Sequence, residues 1–177
     1  KRRLESPEIM IISNASPLIY LAKINKLGIL KKLYGNIIVP EEVYNEIVIN
    51  GKEGKFHDAI KVENAFMAGW IKIEKTENRK EIEKFAPEID IGEIAVINLA
   101  LKLMPDLILM DDASARTIAE SFGFNVKGTL YVLLSAYKND DDKTSKVIAV
   151  DGHKHELKDD KTLQINFSDY LSNESVV

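Results

Sequence analysis

The chain has 177 residues, of which 45% are hydrophobic, so it is long and apolar enough to form one compact core. It contains no cysteine, which excludes disulfides and thiolate metal sites and favours a reducing cytoplasm. The formal net charge of −4 argues against a surface covered by nucleic acid, so any phosphate ligand must be recognised locally.

Short apolar runs alternate with helical patterns from the start of the chain. The basic N-terminal stretch KRRLESPEIMIIS is too short in its apolar part for a signal peptide or a membrane span, so no membrane role is expected. EIMIIS predicts the first strand, and Ser16-Pro17 predicts the N-cap and first turn of a helix. NIIVP predicts the second strand, after which Pro40 opens another helix. IKIEK alternates in polarity, which predicts a strand near a sheet edge.

The clearest helix is DIGEIAVINLALKLM. Ile94, Ile97, Leu101 and Met104 have helical spacing and are expected to be buried, and Pro105 ends the pattern. LILM, ASARTIAESFG, FNVKG and TLYVLLSAYK then predict a strand, a helix, a strand and a helix. This alternation predicts an α/β layer fold with a largely parallel sheet.

The composition changes at the charged segment KNDDDKTSK. We therefore predict one domain over residues 1–138 and a C-terminal appendage over residues 139–177. Within the appendage, KVIAV is a weak strand pattern and LQINFSDYL has a mixed pattern. In the main domain, NRKEIEKFAP at residues 78–87 predicts a short surface helix, and NGKEGK predicts a flexible turn.

Polar side chains follow the predicted strands at the points where those strands end. Asn14 follows the first strand, and Asp111 and Asp112 follow the fourth. Glu93 lies in the first turn of its helix, and Glu46 lies in the second turn of the helix after strand two. In a parallel sheet, strand carboxyl ends and helix N-termini share one edge, and ligands bind where the strand order reverses. We therefore expect these side chains to approach one edge.

Such a group of carboxylates requires a cation, because unpartnered carboxylates repel one another. A hard, oxygen-preferring ion such as Mg²⁺ or Mn²⁺ fits a chain that has three histidines and no sulfur ligand of the cysteine type. An ion of this kind could activate water and stabilise the charge that develops on a phosphodiester.

Two of these acidic positions also have simple structural explanations. Asp90-Ile-Gly-Glu93 has the spacing of a capping box, which explains Glu93 without a metal. One of Asp111 and Asp112 can cap the next helix, but capping requires only one side chain. The second aspartate of the pair therefore favours a functional role.

The remaining candidates have ordinary alternatives as well. Glu46 fits a solvated helix face, Asn14 a turn, and Ser16 a plain N-cap. Arg116 either binds a phosphate or forms an i,i+4 ion pair with Asp112. GKEGKF lacks the spacing of a phosphate-binding P-loop, which removes the main support for nucleotide hydrolysis. His153 and His155 fit a solvated turn, because no third ligand has a familiar spacing.

Several separated segments resemble PIN domains, and most closely the prokaryotic subgroup called domain of unknown function 3368. They are ISNASPLIYLAKINKL, IIVPEEVYNEI, AGWIKI, DIGEIAVINLAL and LILMDDASARTIAESFGFNVKGTLYVLLSAYK, in the family's order. The resemblance runs from about Ile9 to Lys138. It implies a Rossmann-like three-layer sandwich with a central, mainly parallel sheet. It also implies an Mg²⁺- or Mn²⁺-dependent ribonuclease similar to the toxins of VapBC toxin–antitoxin pairs.

The resemblance further implies roles for individual residues. The family's acidic positions match the catalytic candidates Asn14, Glu46, Glu93, Asp111 and Asp112. All of these except Glu46 are also expected to hold the metal, with Asp112 preferred over its neighbour. Ser16 matches a small hydroxyl residue beside the first acid, Thr129 matches the family's late Gly-Thr, and both are expected to bind substrate together with Arg116. The implied partners are RNA, an antitoxin protein and a second copy of the chain. Single-stranded RNA is favoured because a shallow edge of the sheet can approach its phosphates without opening a duplex.

One departure from the family pattern concerns Asn14, because the first acid of a typical PIN domain is aspartate. An amide oxygen can still ligate a hard cation, but the site has one negative charge fewer and a lower metal affinity. One hypothesis is therefore an endoribonuclease weakened or modified by Asn14. The alternative is a catalytically weak or inactive module that binds RNA or protein. A receiver-type phosphorylation domain fits less well, because its paired acids follow the first strand.

Overall fold

The computed structural model of the chain describes residues 9–76, 89–139, 148–150 and 164–166. The chain forms two compact units, Lys1–Thr129 and Leu130–Val177. The boundary predicted at residue 138 rests on composition and stays a prediction. The surface helix predicted at residues 78–87 and the histidines of the C-terminal segment lie outside the described residues.

The first unit is built on a five-stranded sheet in which each pair of neighbouring strands is parallel. The strands are β1 (Ile11–Ser13), β2 (Ile37–Pro40), β3 (Ile71–Glu74), β4 (Leu107–Leu109) and β5 (Val126–Lys127). Their order is β3-β2-β1-β4-β5, and Ile12 of β1 pairs with Ile38 and Ile108 on its two sides. The strand order therefore reverses between β1 and β4, which places a ligand site at their carboxyl ends.

Helices cover both faces of this sheet. They are α1 (Ala15–Lys23), α2 (Gly28–Tyr34), α3 (Glu41–Tyr44, Asn45–Asn50 and Gly51–Glu53), α4 (His57–Met67), α5 (Ile91–Leu103) and α6 (Ala113–Ser121). A further helix, α7 (Thr129–Asn139), begins at the last residue of the first unit. With this strand order, the right-handed rule for connections between parallel strands assigns α1 to α4 to one face and α5 and α6 to the other. The α/β prediction and the Rossmann-like sandwich are thereby confirmed.

The core lies between the sheet and the helices. The strands β1 and β4 are buried throughout, and α5 is buried from Gly92 to Ala100 because it crosses the centre of the sheet. A helix that is apolar on all sides is typical of such a position. The predicted burial of Met104 was wrong: its side chain is 70% exposed. Met104 takes a left-handed conformation after the helix end, which turns its side chain out of the helical stripe.

Three local predictions also differ from the structure. The helix α1 begins at Ala15 with Asn14 at the N-cap, so Ser16 is not the cap. Pro17 is still tolerated there, because the first turn has no internal partner for its missing N–H. The turn predicted at NGKEGK is confirmed only at Gly54 and Lys55, because Gly51–Glu53 is helical. The segment Asn45–Asn50 is π-helical, which the helical spacing did not predict.

The second unit contains a pair of short parallel strands, β6 (Ile148–Val150) and β7 (Gln164–Asn166). The weak strand pattern of KVIAV is therefore confirmed at Ile148–Val150. In the parts of both units that the structure describes, no helix combines the length and apolar character that a membrane crossing requires.

Candidate active site

The carboxyl ends of β1 and β4 bring Asn14 next to the paired aspartates. Ser13 pairs with Leu109, and the Asn14 amide N–H donates to the Leu109 carbonyl at 2.8 Å. The chain beyond β4 passes through Met110, which is fully buried, to reach Asp111. The two strand ends that the sequence predicted to share one edge are thus adjacent at the point where the strand order reverses.

Asn14 is a buried polar residue whose side-chain oxygen lacks a hydrogen-bond partner. The residue is 4% exposed, and its Oδ1 accepts no hydrogen bond in the part of the chain that the structure describes. Asn14 is the N-cap of α1, yet its side chain does not cap the helix. An unsatisfied buried oxygen costs about 1–3 kcal/mol, so this atom is well suited to a ligand that supplies positive charge.

Glu46 approaches the same place from α3. If Gly92 carried a Cβ, that atom would lie 3.0 Å from Glu46 Oε2 and 3.7 Å from Asn14 Oδ1. Two oxygens from separate elements therefore face one point at the N-terminus of α5. The Glu46 residue as a whole is exposed, but burial around its carboxylate raises its pKa, and the charge of Asp90 raises it further. The Glu46 carboxylate is therefore partly buried at the site, and the prediction of a solvated helix face does not describe it.

Glu93 combines a structural role with a perturbed charge. Its Oε2 accepts a hydrogen bond from the Asp90 amide at 3.1 Å, and the reciprocal Asp90 bond completes the capping box. Burial raises the pKa of Glu93, whereas the Asp90 hydrogen bond lowers it. The charges of Asp112, Asp90 and Glu46 raise it again. The capping box was therefore correctly predicted, and it uses one Glu93 oxygen while the other remains outside it.

The two neighbouring aspartates have different surroundings. Asp111 Oδ1 accepts the Thr129 amide at 2.7 Å, and its Oδ2 accepts the Thr129 hydroxyl at 2.6 Å. Both Asp111 oxygens thus fix the start of α7. Asp112 caps α6 through Oδ1, which accepts the Ala115 amide at 2.8 Å. Its Oδ2 does not take part in this cap, which makes Asp112 the better placed of the two to face the site.

The three residues predicted to bind substrate occupy different positions. Thr129 is 7% exposed, and its hydroxyl donates a hydrogen bond to Asp111. Ser16 is half-buried in the first turn of α1, two residues after Asn14. Arg116 is half-buried, and its Nη1 lies 3.7 Å from where a Cβ of Gly128 would be. The described residues contain no ion pair between Arg116 and Asp112, so the predicted i,i+4 pair is absent there.

The donor chemistry of the site fits a hard cation. Four side chains offer oxygens around it: Asn14, Glu46, Glu93 and Asp112. The unpartnered Asn14 oxygen beside Glu46 is the feature that best suits a bound divalent ion. Over the residues that the structure describes, no three carboxylate, histidine or cysteine side chains already form a complete metal site.

Gly128 leaves space for the Asp111 carboxylate, which accepts two hydrogen bonds from Thr129. A Cβ there would lie 2.6 Å from Asp111 Oδ1, which is held in place by Thr129. Gly128→Ala is expected to destabilise the protein by about 1–3 kcal/mol in urea unfolding, the usual cost of overpacking. Gly28→Ala is the matched control, because nothing lies within 4 Å of its Cβ position. An equal loss of unfolding free energy in both variants would show that Gly128 does not provide space for Asp111.

The raised pKa of Glu46 predicts a pH-dependent stability in metal-free protein. The folded state binds the Glu46 proton more tightly than the unfolded state, whose ordinary pKa is 4.5. The proton therefore stabilises the fold, and this contribution is lost as the pH rises from 4.5 through the raised pKa. Urea unfolding in EDTA should show wild type losing stability relative to Glu46→Gln across this interval. If the difference in unfolding free energy between wild type and Glu46→Gln does not vary with pH, the pKa of Glu46 is not raised by burial.

A parallel five-stranded sheet with acids at its strand-order reversal defines an α/β protein with an acidic ligand site at the switch point. The chain belongs to the PIN domain family, since the family model described as DUF3368: PIN domain matches residues 10–148. Members of this family are generally nucleases. The predicted family is thus confirmed.

Two solved archaeal structures are similar to the chain. The PilT N-terminus domain protein SSO1118 from Sulfolobus solfataricus P2 has 13% identity and a TM-score of 0.50, with 75% of this chain and 97% of that chain covered. PAE2754 from Pyrobaculum aerophilum has 12% identity and a TM-score of 0.50, with 77% and 95% covered. A comparison with curated proteins finds no match. At these identities the two structures support the fold alone.

Sequence reasoning missed the contribution of two glycines. Gly92 provides the open space that Glu46 and Asn14 face, and Gly128 accommodates Asp111. The sequence did contain a signal for the first, because a glycine inside the first turn of a helix is unfavourable without a special reason. The paired hydrogen bonds between Asp111 and Thr129 join residues 18 positions apart, and no local pattern predicts such a contact.

Proposed function

We propose that the protein is a metal-dependent ribonuclease of the VapC toxin type that hydrolyses phosphodiester bonds of single-stranded RNA. The observation that carries this proposal is the buried, unpartnered Asn14 oxygen beside the Glu46 carboxylate at the switch point. Membership of a family whose members are generally nucleases supports it. Single strands suit an open edge of the sheet, because their phosphates are accessible without opening a duplex.

Asn14, Glu46, Glu93 and Asp112 would hold Mg²⁺ or Mn²⁺. When bound, such an ion lowers the pKa of water and stabilises negative charge on the phosphate. The α6 cap fixes Asp112, and the capping box fixes Glu93, so both carboxylates are oriented before substrate arrives. The capping box uses Oε2 of Glu93, so Oε1 is the oxygen that would face the ion.

Asp111 acts differently in this proposal. Its two oxygens hold Thr129, so its contribution is to position Asp112 through the connected backbone. Arg116 and Ser16 lie beside the two strand ends and would contact the RNA phosphate and ribose. A guanidinium can donate two parallel hydrogen bonds to a phosphate, which suits Arg116 to that role.

The test is cleavage of labelled single-stranded RNA by the purified full chain in Mn²⁺. Wild type is expected to cut the RNA, and the double variant Glu93→Ala, Asp112→Ala should be at least about 100-fold slower. Glu120→Ala is the matched control, because Glu120 is an exposed carboxylate of α6. Equal cleavage by wild type and the double variant would point to a contaminating nuclease and remove the proposal.

A second candidate function is a module that binds RNA or protein without turnover. Two observations favour it: Asn14 contributes no charge, and the described residues do not form a complete three-acid metal site. Mn²⁺ calorimetry separates the two candidates. Heat of binding in wild type supports the nuclease, whereas binding that appears only after Asn14→Asp supports the inactive module.

Two partner proposals follow from the toxin assignment. An antitoxin protein would suppress the activity, and the chain would form a homodimer, as is common among the PIN domains that it resembles. Growth arrest on expression, relieved by a co-expressed partner, would support the toxin assignment. Light scattering on the purified full chain measures the oligomeric state, and a monomer at all concentrations would contradict the dimer.

A further inference from the structure

Charge is distributed unevenly along the first unit. The 32 residues from Ile9 to Pro40 contain four lysines and neither aspartate nor glutamate, although the whole chain has 28 acidic residues and a net charge of −4. This segment forms β1, α1, α2 and β2. Solvated helix faces usually mix both signs of charge, so a segment without any acid differs from an ordinary surface. The acidic site therefore lies next to a segment whose only charged side chains are lysines.

The outward side of α1 carries a continuous row of side chains with mixed chemistry. Its inward positions are buried, whereas Ser16, Ile19, Tyr20 and Lys23 are partly or fully exposed. These four residues, which we call the α1 stripe, have i, i+3, i+4 and i+7 spacing and so share one face. The α1 stripe begins two residues from Asn14. It runs for about 10 Å, given the helical rise of 1.5 Å per residue.

A groove lined by both apolar and polar side chains lies at the far end of α1. It has a volume of about 390 Å³, and its lining includes Asn25, Lys61, Asn64 and Trp70. Lys61 of α4 donates from Nζ to the Ala22 carbonyl at 3.0 Å, which fixes the ammonium at the end of α1. An ammonium has three N–H donors, and this hydrogen bond uses one of them. The other two Lys61 donors and the side-chain amides of Asn25 and Asn64 can form hydrogen bonds with a phosphate or a base edge.

We propose that single-stranded RNA leaves the acidic site along the α1 stripe and ends in this groove, which we call the Lys61 groove. The inference rests on the proposed function, because it takes RNA as the ligand. Lys23 and Lys61 contact phosphates, and the Tyr20 ring stacks on a base. The length of the stripe corresponds to about three stacked nucleotides at roughly 3.4 Å each.

RNA fits this surface better than an acidic protein does. A carboxylate-rich peptide would be attracted by the lysines, but it would gain nothing specific from an aromatic ring next to cationic positions. Base stacking on aromatic side chains next to basic groups is the usual arrangement for single strands. The stripe also starts at the site where a scissile phosphate would lie, so one strand can occupy both.

The test is fluorescence anisotropy with a labelled RNA of about eight nucleotides in EDTA, a length within the usual range for single-strand sites. Lys23→Gln and Lys61→Gln are each expected to weaken binding about fivefold and to reduce the salt slope by about 0.7. Tyr20→Leu should weaken binding about fivefold without changing that slope, whereas Tyr20→Phe should bind like wild type. Lys72→Gln on β3 is the matched control, because it removes the same charge from an exposed position elsewhere.

Lys61→Arg keeps the positive charge and should bind RNA like wild type. It therefore distinguishes loss of charge from a folding defect caused by replacing Lys61. Unchanged affinity in all three loss variants would overturn the inference, and continued Mn²⁺-dependent cleavage would leave the nuclease proposal standing. Binding that depends on the stripe without any cleavage would support the inference and contradict the nuclease. Displacement of RNA by poly-glutamate at equal concentration would assign the surface to an acidic protein and overturn the RNA assignment.

Discussion

Replacing Glu93 by glutamine is expected to abolish Mn²⁺-dependent RNA cleavage and, at the same time, to raise the melting temperature of the metal-free protein. Glu93 is 9% exposed, and burial of its carboxylate raises its pKa. The charges of Asp112, Asp90 and Glu46 raise this pKa further. Glutamine retains an oxygen that accepts the Asp90 amide, so the capping box is preserved. The substitution therefore removes repulsion without removing the hydrogen bond.

The two expected changes have opposite directions, which separates a functional role from a structural one. Activity should fall at least about 100-fold. The melting temperature in EDTA should rise by about 2–4 °C for each kcal/mol gained in a chain of this size. Mn²⁺ should stabilise wild type more than Glu93→Gln, since a ligand stabilises only the state that binds it. A variant that is both less stable and fully active would show that Glu93 serves only as a helix cap.

The sheet and most of its helices could be predicted because hydrophobic periodicity and helix ends depend on local sequence. IKIEK alternates in polarity, and β3 is an edge strand in which only Ile71 is buried. Asp90 and Glu93 have capping-box spacing, and both bonds are present. The convergence of Asn14, Glu46 and Glu93 also followed from topology, since parallel strands end on one side of the sheet.

Other features depend on contacts between distant residues and were not predictable. Glu46 lies in the π-helical segment Asn45–Asn50, which the helical spacing of the sequence did not predict. Its spacing from Glu42 predicted a solvated face, whereas the carboxylate meets Gly92 of another helix. Similarly, the sequence could not distinguish Asp111 from Asp112, because the difference arises from Thr129 on a later element. Tertiary packing therefore decides which members of an acidic pair remain available for a ligand.

Asn14→Asp is expected to tighten Mn²⁺ binding at least about tenfold, equivalent to 1.4 kcal/mol. The Asn14 oxygen is buried and faces the same point as Glu46 Oε2, and no group among the described residues donates a hydrogen bond to it. A carboxylate there supplies the charge that a typical PIN domain has. Without metal the same charge is uncompensated next to Glu46, so EDTA-treated variant should lose about 3 kcal/mol of unfolding free energy. Added Mn²⁺ should recover this loss, as measured by urea unfolding and calorimetry.

Asn98→Asp provides a control with the same chemistry in a different place. Asn98 on α5 is also 4% exposed, and its Oδ1 also lacks a hydrogen-bond partner among the described residues. A buried carboxylate at that position should destabilise the protein similarly, but Mn²⁺ should not recover the loss, because Asn98 lies five residues after Glu93 and therefore on a different face of α5. Equal recovery in both variants would mean that Mn²⁺ binds elsewhere. No recovery in Asn14→Asp would mean that the switch-point acids do not share a cation, and the proposed nuclease site would be lost with it.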